Sequence, residues 1–406
     1  FKVRIDNVIH ETYFDSYPQG PSLFVPYLVM SGLPEGEKLL AFGGYYSPEN
    51  PNPDGSDYTF IHDCADDELI QGWDWTQELI YSAGWIDLPI PGKTYYFKGV
   101  VRTNKAVYYS NTVTINTDGL PGYTPGPQDR VLPVVFHVMP RKDGTYPHPY
   151  FFDEMLACAN RLYRNVWPLP GLADAGIRFV PATHTPDGTA LSTPGIHYLD
   201  ERYELDRDIS YEELRQWVGD NLWEMTEVIN VWVSPFINDD IVSEGTRTAG
   251  FTFLPYFAPE EMLQGCNTAV PGCFSGIFLN QEIVGNGYCN SGIAVFAHEA
   301  GHYLGLDHVF EEDWCDDTPQ YDRARYRTEQ YIPGIDTYLR YPIDASAEPY
   351  TALNVMDYDI VIYSGITPQQ AERVRYTLQH ACLVPGGKPL PGNMKSCAGP
   401  APKVMY

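Results

Sequence analysis

Apolar and polar positions along the first hundred residues alternate with the short period of strands, and the segment 1–117 reads as β throughout. Tyr95 to Val101 is one strand and Ala106 to Thr117 another, with Asn104-Lys105 near the turn between them. The Pro/Asn/Asp-rich stretch from Pro48 to Asp57 interrupts the pattern as a long exposed loop. From Asp118 to Asp129, glycine and proline recur without any apolar period, which is linker composition. Beyond it the pattern changes. Val131 to Val138 is an apolar strand, and Trp232 with its neighbours a buried one. Met155, Leu156, Ala159, Leu162, Tyr163 and Val166 fall at helical spacing and predict a helix over Phe152–Asn165. Ile293, Phe296, Ala297, Ala300 and Leu304 form the inward face of a second helix, with Ser291 expected as its N-cap. Thr367 followed by Pro368 opens a third, running to about His380.

The second helix carries the chemistry. His298 to His308 spell H-E-x-x-H-x-x-G-x-x-H. His298 and His302 lie one helical turn apart on the same face, so two imidazoles can reach one ion. Gly305 can adopt the left-handed conformation that ends a helix, and the returning chain brings His308 to the same point. Three nitrogen ligands leave a fourth tetrahedral position for water, the mark of a catalytic Zn²⁺ site. Glu299 follows the first ligand and is the expected general base. Only ten histidines occur in 406 residues, so a chance match to the whole pattern is remote. The remaining histidines have no ligand spacing, and His137, in an apolar strand, reads as a satisfied core residue.

Downstream, Asn354-Val355-Met356-Asp357-Tyr358 lies at the separation of a methionine turn. Together with His298–Phe310 and Cys315-Asp316-Asp317-Thr318-Pro319, this segment resembles the pappalysin family of metzincin metallopeptidases. Weaker likenesses run through Leu132–Val138, Ile229–Val233, Gly250–Pro255, Gly276–Leu279 and Ile366–Gln370, so the resemblance spans about residues 130–382. It implies an α+β domain with a mixed sheet, an active-site helix, an irregular lower subdomain and a cleft between. Met356 would form the floor beneath the zinc, and Tyr358 would bring its phenol near the metal as a catalytic hydrogen-bond donor. The strand at Gly276–Leu279 would pair with an extended substrate. Some members of the family also bind calcium near this loop, where Asp316 and Asp317 offer oxygen ligands. The Cys-rich stretch common after the third His is reduced to Cys315, so the family's disulfide pairing does not carry over. Pro91 to Tyr95 resembles the start of a strand in fibronectin type III and immunoglobulin-like modules, with Tyr95 as a corner tyrosine bonding back to the backbone. The expected architecture is therefore an all-β sandwich over 1–117, a linker over 118–129, and a metzincin-like zinc metallopeptidase domain over 130–406.

Charge and cysteine content narrow the function. With 26 basic against 53 acidic residues the net charge is -27, which disfavours nucleic acid as a partner. No run of 18 apolar residues occurs, so no transmembrane helix is expected. None of the eight cysteines forms a CxxC pair, which disfavours a thiolate zinc site, and disulfides are the default for a secreted protein. Cys64 stands alone in the N-terminal part, so either a thiol stays free in each part or one disulfide joins them. The reading is a secreted or extracytoplasmic zinc endopeptidase acting on protein or peptide substrates, compatible with surface anchoring through a removed N-terminal segment. The alternative is a latent or non-proteolytic surface-binding protein, whose β-module covers the cleft or engages a partner, with Cys64 as a thiolate switch on the zinc.

Overall fold

The structure, a computed structural model, describes all residues except 13–21, 85, 88–89, 91, 120–128, 167–168, 207–210, 238–247, 253–274, 285–288, 312, 324–330, 333–336, 345, 352, 359–363, 382, 388–402 and 406. The chain divides into two compact units, one mainly Phe1–Gly122 and the other Tyr123–Val284 with Ser291–Tyr406.

The first unit is a sandwich of two antiparallel sheets. One joins β1 (Lys2–Thr12), β2 (Ser22–Ser31), β5 (Leu79–Ser82) and β6 (Ile86–Asp87); the other runs β4 (Tyr58–Asp63), β3 (Leu39–Ser47), β7 (Thr94–Thr103), β8 (Val107–Asn116). A short helix, α1 (Glu68–Gln71), is capped by Asp67. The expected strand at 95–101 falls within β7, and the one at 106–117 contains β8. Gly99 lets the two sheets meet, since a Cβ there would collide with the Leu28 methyl of the facing sheet. Tyr95 is fully buried, and its phenol oxygen accepts the Ile90 N–H at 2.9 Å, the hydrogen bond expected of a corner tyrosine. The loop between β3 and β4 is exposed at its tip, yet it is held from inside: buried Asp57 accepts from Asn50 Nδ2 and from the Asp54 N–H.

The second unit is α+β, built on a mixed sheet. Parallel strands β10 (Ile177–Pro181), β9 (Arg130–Val138), β13 (Ile229–Ser234) and β16 (Ile277–Asn280) lie side by side, and β11 (Ile196–Tyr198) continues beside β9. Antiparallel β15 (Gly250–Thr252) follows, then β20 (Lys403–Met405). Short pairs complete the unit: β12 (Leu205–Asp206) with β14 (Phe236–Ile237), and β17 (Tyr331–Ile332), β18 (Thr337–Arg340) and β19 (Tyr350–Thr351) in a small sheet. These last three occupy a span expected to be mostly loop. All six residues of β13 and all four of β16 are buried, as parallel strands covered on both faces must be.

Register sets a row of rings across one face. His197, His137, Trp232, Phe278 and Phe251 are successive cross-strand partners, and each neighbouring pair of rings lies within 5.3 Å, centroid to centroid. Helix α3 (Tyr211–Val218) packs here through Leu214 and Val218. On the opposite face Phe136 and Phe179 meet Phe296 of α4 (Cys289–Tyr303), and Phe136 also meets Phe152 of α2 (Pro149–Arg164). Two helix starts differ from expectation. Helix α2 begins three residues early, because Pro149 sits in its first turn, where its missing N–H costs nothing. Ser291 lies inside α4 rather than capping it: the helical ladder begins at Cys289, so tertiary fixation of the apolar face overrides the weak helix preference of Asn290-Ser291-Gly292. Helix α5 (Pro368–His380) starts as expected, with a reciprocal capping box between Thr367 and Gln370. No helix among the described residues is long and apolar enough to cross a membrane.

Candidate metal centre

Helix α4 is buried on every side from Ala294 through its last residue, so it runs through the interior rather than along a surface. Its end is a Schellman turn. Gly305, at φ 89°, donates to the His302 carbonyl, and the Leu306 N–H donates to the Gly301 carbonyl, both at 2.9 Å. The turn sends the chain back so that His308 joins His298 and His302, with ligand atoms of all three within 4.8 Å of one another. His302 Nε2 and His308 Nε2 stand 3.1 Å apart, about the separation of two nitrogens on one tetrahedral Zn²⁺.

Backbone carbonyls orient two of the rings. His298 Nδ1 donates to the Val355 carbonyl at 2.7 Å and His302 Nδ1 to the Leu306 carbonyl at 2.8 Å. Each Nε2 is thereby the bare nitrogen that a metal requires. His298 Nε2 is buried without a hydrogen-bond partner among the described residues. A buried orphan acceptor costs roughly 1–3 kcal/mol unless something occupies its lone pair, so the three residues fit a zinc ion. Burial first, then the neighbouring His308, push the His298 imidazole down to about 3, which keeps it neutral, the ligand form. His308 Nδ1 lies 3.4 Å from Glu311 Oε2.

Glu299 is fully buried, and neither carboxylate oxygen has a hydrogen-bond partner among the described residues. Burial pushes its carboxyl well above the ordinary range, and nearby Thr252 offsets this only in part. Gly250 makes room for it: a Cβ there would sit 3.0 Å from Glu299 Cγ and 2.9 Å from the Phe278 carbonyl. The strand against Glu299 is thus β15. This corrects the expectation that Gly276–Leu279 pairs with substrate. Strand β16 is bonded on both sides, to β13 and β15, so its backbone groups have no open edge, and the other edge of β15 carries Lys403–Met405.

Asn354–Tyr358, the segment expected to form a methionine turn, lies beside α4. Met356 is fully buried, and a Cβ on Gly301 would overlap its sulfur, so the turn packs directly on the active-site helix. Tyr163 of α2 reaches the same spot and donates to the Ala297 carbonyl at 2.9 Å. Asp357 anchors the turn from below, accepting from Arg340 Nε at 3.0 Å and Tyr321 Oη at 2.9 Å, all three residues being buried. The Tyr358 ring stands 4.9 Å from the His308 ring and 6.0 Å from that of His298. Sequence reasoning missed Arg340, Tyr321 and Tyr163, which carry no local signal. Gly301 did carry one, since a glycine in mid-helix costs about 1 kcal/mol and needs a packing reason.

Asp317 is committed elsewhere. Its two oxygens accept from Thr367 Oγ1 at 2.7 Å and from the Gln369 N–H at 2.9 Å, fastening the start of α5. Neither Asp316 nor Asp317 belongs to a group of ligating side chains among the described residues, so the calcium expectation gains no support there. Cys64, Cys158 and Cys315 carry no disulfide, and the other five cysteines lie outside the residues whose side chains are described. Burial, then Asp63 and Asp67, push the Cys64 thiol up to about 11, away from the thiolate a metal switch needs. His137, as expected, is a satisfied core residue: its ring nitrogens lie 3.0 Å from Asn230 Oδ1 and 3.0 Å from His197 Nδ1.

Among known proteins, the family model described as Pregnancy-associated plasma protein-A, peptidase family M43, matches residues 213–379. The chain is similar to a solved structure of mirolysin in complex with compound 9, at 18% identity and TM-score 0.44, over 61% of this chain and 91% of that one. It is also similar to mature mirolysin of Tannerella forsythia in complex with a cleaved peptide, at 18% identity and TM-score 0.42, over 62% and 92% respectively. No curated protein matches.

Proposed function

We propose that this chain, whose residues 213–379 match the peptidase family M43 model, is a secreted zinc endopeptidase of the pappalysin type with Glu299 as its general base. The observation that carries the reading is the pair of carbonyl-oriented imidazoles beside His308, with an orphan nitrogen on His298. His298, His302 and His308 would hold the ion. Bound there, zinc would supply Lewis acidity, acidifying a water and polarising a peptide carbonyl.

The chain's own groups supply the rest. A Glu299 carboxylate oxygen takes the proton of the attacking water and returns it to the nitrogen of the leaving amine. The Tyr358 phenol donates a hydrogen bond to the developing oxyanion. Met356 supports the ligand helix from beneath. We assign residues 1–117 to an accessory β-module, 118–129 to the linker and 130–406 to the catalytic domain. The linker lies largely outside the described residues.

One observation favours latency as a second reading. Lys403–Met405 pairs antiparallel with Gly250–Thr252, the strand that Glu299 abuts. A peptide adding to that edge would have to displace it. Removing residues 401–406 would then raise kcat/KM.

The test is cleavage of an unbiased peptide library by wild type and by Glu299→Ala, with zinc measured in both. Cleavage by wild type alone, with zinc in both, is the expected result. Absence of zinc from both proteins overturns the reading.

A further inference from the structure

Arg323 stands beside the metal centre in a setting that suits a ligand better than a structural role. Its guanidinium carbon lies 4.0 Å from the centroid of the Tyr358 ring and 4.8 Å from that of Phe310. Those two rings touch each other and both pack on His308, at 4.9 Å and 4.8 Å. The cation therefore sits one ring away from a residue of the His triad. Stacking on aromatic faces leaves the in-plane N–H donors of a guanidinium free to point outward. Arg323 is partly exposed, and among the described residues it has neither a carboxylate partner nor a hydrogen bond. Its counterpart Arg340, by contrast, is buried against Asp357.

We infer that Arg323 is a specificity-determining residue that receives a carboxylate of the peptide substrate close to the scissile bond. The inference rests on the peptidase reading. The aromatic pair restrains the guanidinium group, so less side-chain entropy is lost on binding, and the planar fork matches a carboxylate in bidentate fashion. The local preference thus opposes the global charge: an acidic chain selects an acidic group at its centre. Two sources share this chemistry, an Asp or Glu side chain within a peptide and the α-carboxylate at a peptide's end.

The experiment measures kcat and KM for matched peptides that differ only in Asp against Asn, or Glu against Gln, at each position around the cleaved bond. Every peptide is prepared with a free and with an amidated C-terminus. At one position wild type should prefer the acid by roughly ten- to hundredfold in kcat/KM, the scale of a charge-assisted hydrogen bond. Arg323→Gln should bring that ratio near one, Arg323→Lys should keep part of it, and Arg323→Glu should invert it in favour of Lys and Arg. Preference for the free over the amidated end, lost in Arg323→Gln, would support the inference with the α-carboxylate as the group received. A wild-type ratio of one at every position and end overturns it while the peptidase reading stands. An equal fall in kcat for acidic and neutral peptides, with the ratio kept, also overturns it, since Arg323 would then only steady Tyr358. Should no peptide be cleaved, binding of the same labelled peptides to zinc-loaded Glu299→Gln protein decides. Tighter binding of the acid, abolished by Arg323→Gln, supports the inference, and equal binding overturns it.

Discussion

Replacing Gly301 by alanine tests how the methionine turn holds the metal centre. In an ordinary helix interior this change stabilises by about 1 kcal/mol, because alanine orders more cheaply than glycine. Here the added Cβ would lie 2.7 Å from Tyr163 Oη and 3.1 Å from Met356 Cε, and nearer still to the Met356 sulfur. Both neighbours are fully buried and cannot swing into solvent. Overpacking of this kind costs about 1–3 kcal/mol. Displacing the Tyr163 hydroxyl from the Ala297 carbonyl adds about 1 kcal/mol. Set against the helix gain, the net expectation is a loss of about 1–3 kcal/mol, opposite in sign to the propensity rule. The displaced turn also carries the Val355 carbonyl that orients His298. Zinc affinity should therefore fall by roughly ten- to a hundredfold, as when a ligand's outer partner is lost. Urea unfolding with and without zinc measures both effects, read on the transition that zinc shifts. Removing the obstacle should relieve the strain: Gly301→Ala should cost less in a Met356→Ala background than in wild type. A more stable Gly301→Ala protein, or strictly additive effects, would refute the packing argument.

Other consequences can be measured in the same way. Arg340→Met leaves buried Asp357 without its cationic partner and should cost about 3–5 kcal/mol; adding Asp357→Asn should recover much of it, which a double-mutant cycle would reveal. Tyr95→Phe should destabilise the β-module by about 1 kcal/mol in thermal unfolding, the worth of its bond from Ile90. Acid should weaken the fold through His137, whose burial, against the Asn230 bond, holds its imidazole down to about 3. As pH falls below the ordinary histidine value of 6.5, the unfolded chain binds a proton that the folded one refuses until about 3. Stability should then drop by about 1.4 kcal/mol per pH unit across that window. Metal-free His137→Gln protein, compared with metal-free wild type, should lack this contribution, and identical acid limbs would contradict it.

Much of the catalytic half was legible in the residues themselves. Periodicity located β7 and β8, the strand at Arg130–Val138, and three helices to within three residues at their starts. These are local signals, since the spacing of apolar side chains and the capping box of Thr367 act within a few turns of chain. The H-E-x-x-H-x-x-G-x-x-H pattern brought its histidines together for an equally local reason: two share a helix face and the third returns through a glycine turn. What residue spacing could not supply were contacts between segments distant in the chain. The bond from His298 to Val355, the seat of Met356 on Gly301, and the Arg340–Asp357–Tyr321 cluster each join such segments. So does the row of rings from His197 to Phe251, which exists because parallel strands align in one register. Strand pairing was the weakest expectation for the same reason. A run such as Gly276–Leu279 declares that it is a strand, but its place in the middle of the sheet depends on which strands fold beside it. The sequence alone therefore determined the histidine triad and its helix, whereas the tertiary structure decided how each imidazole is aimed, what lies against Glu299, and that Arg323 stands beside His308.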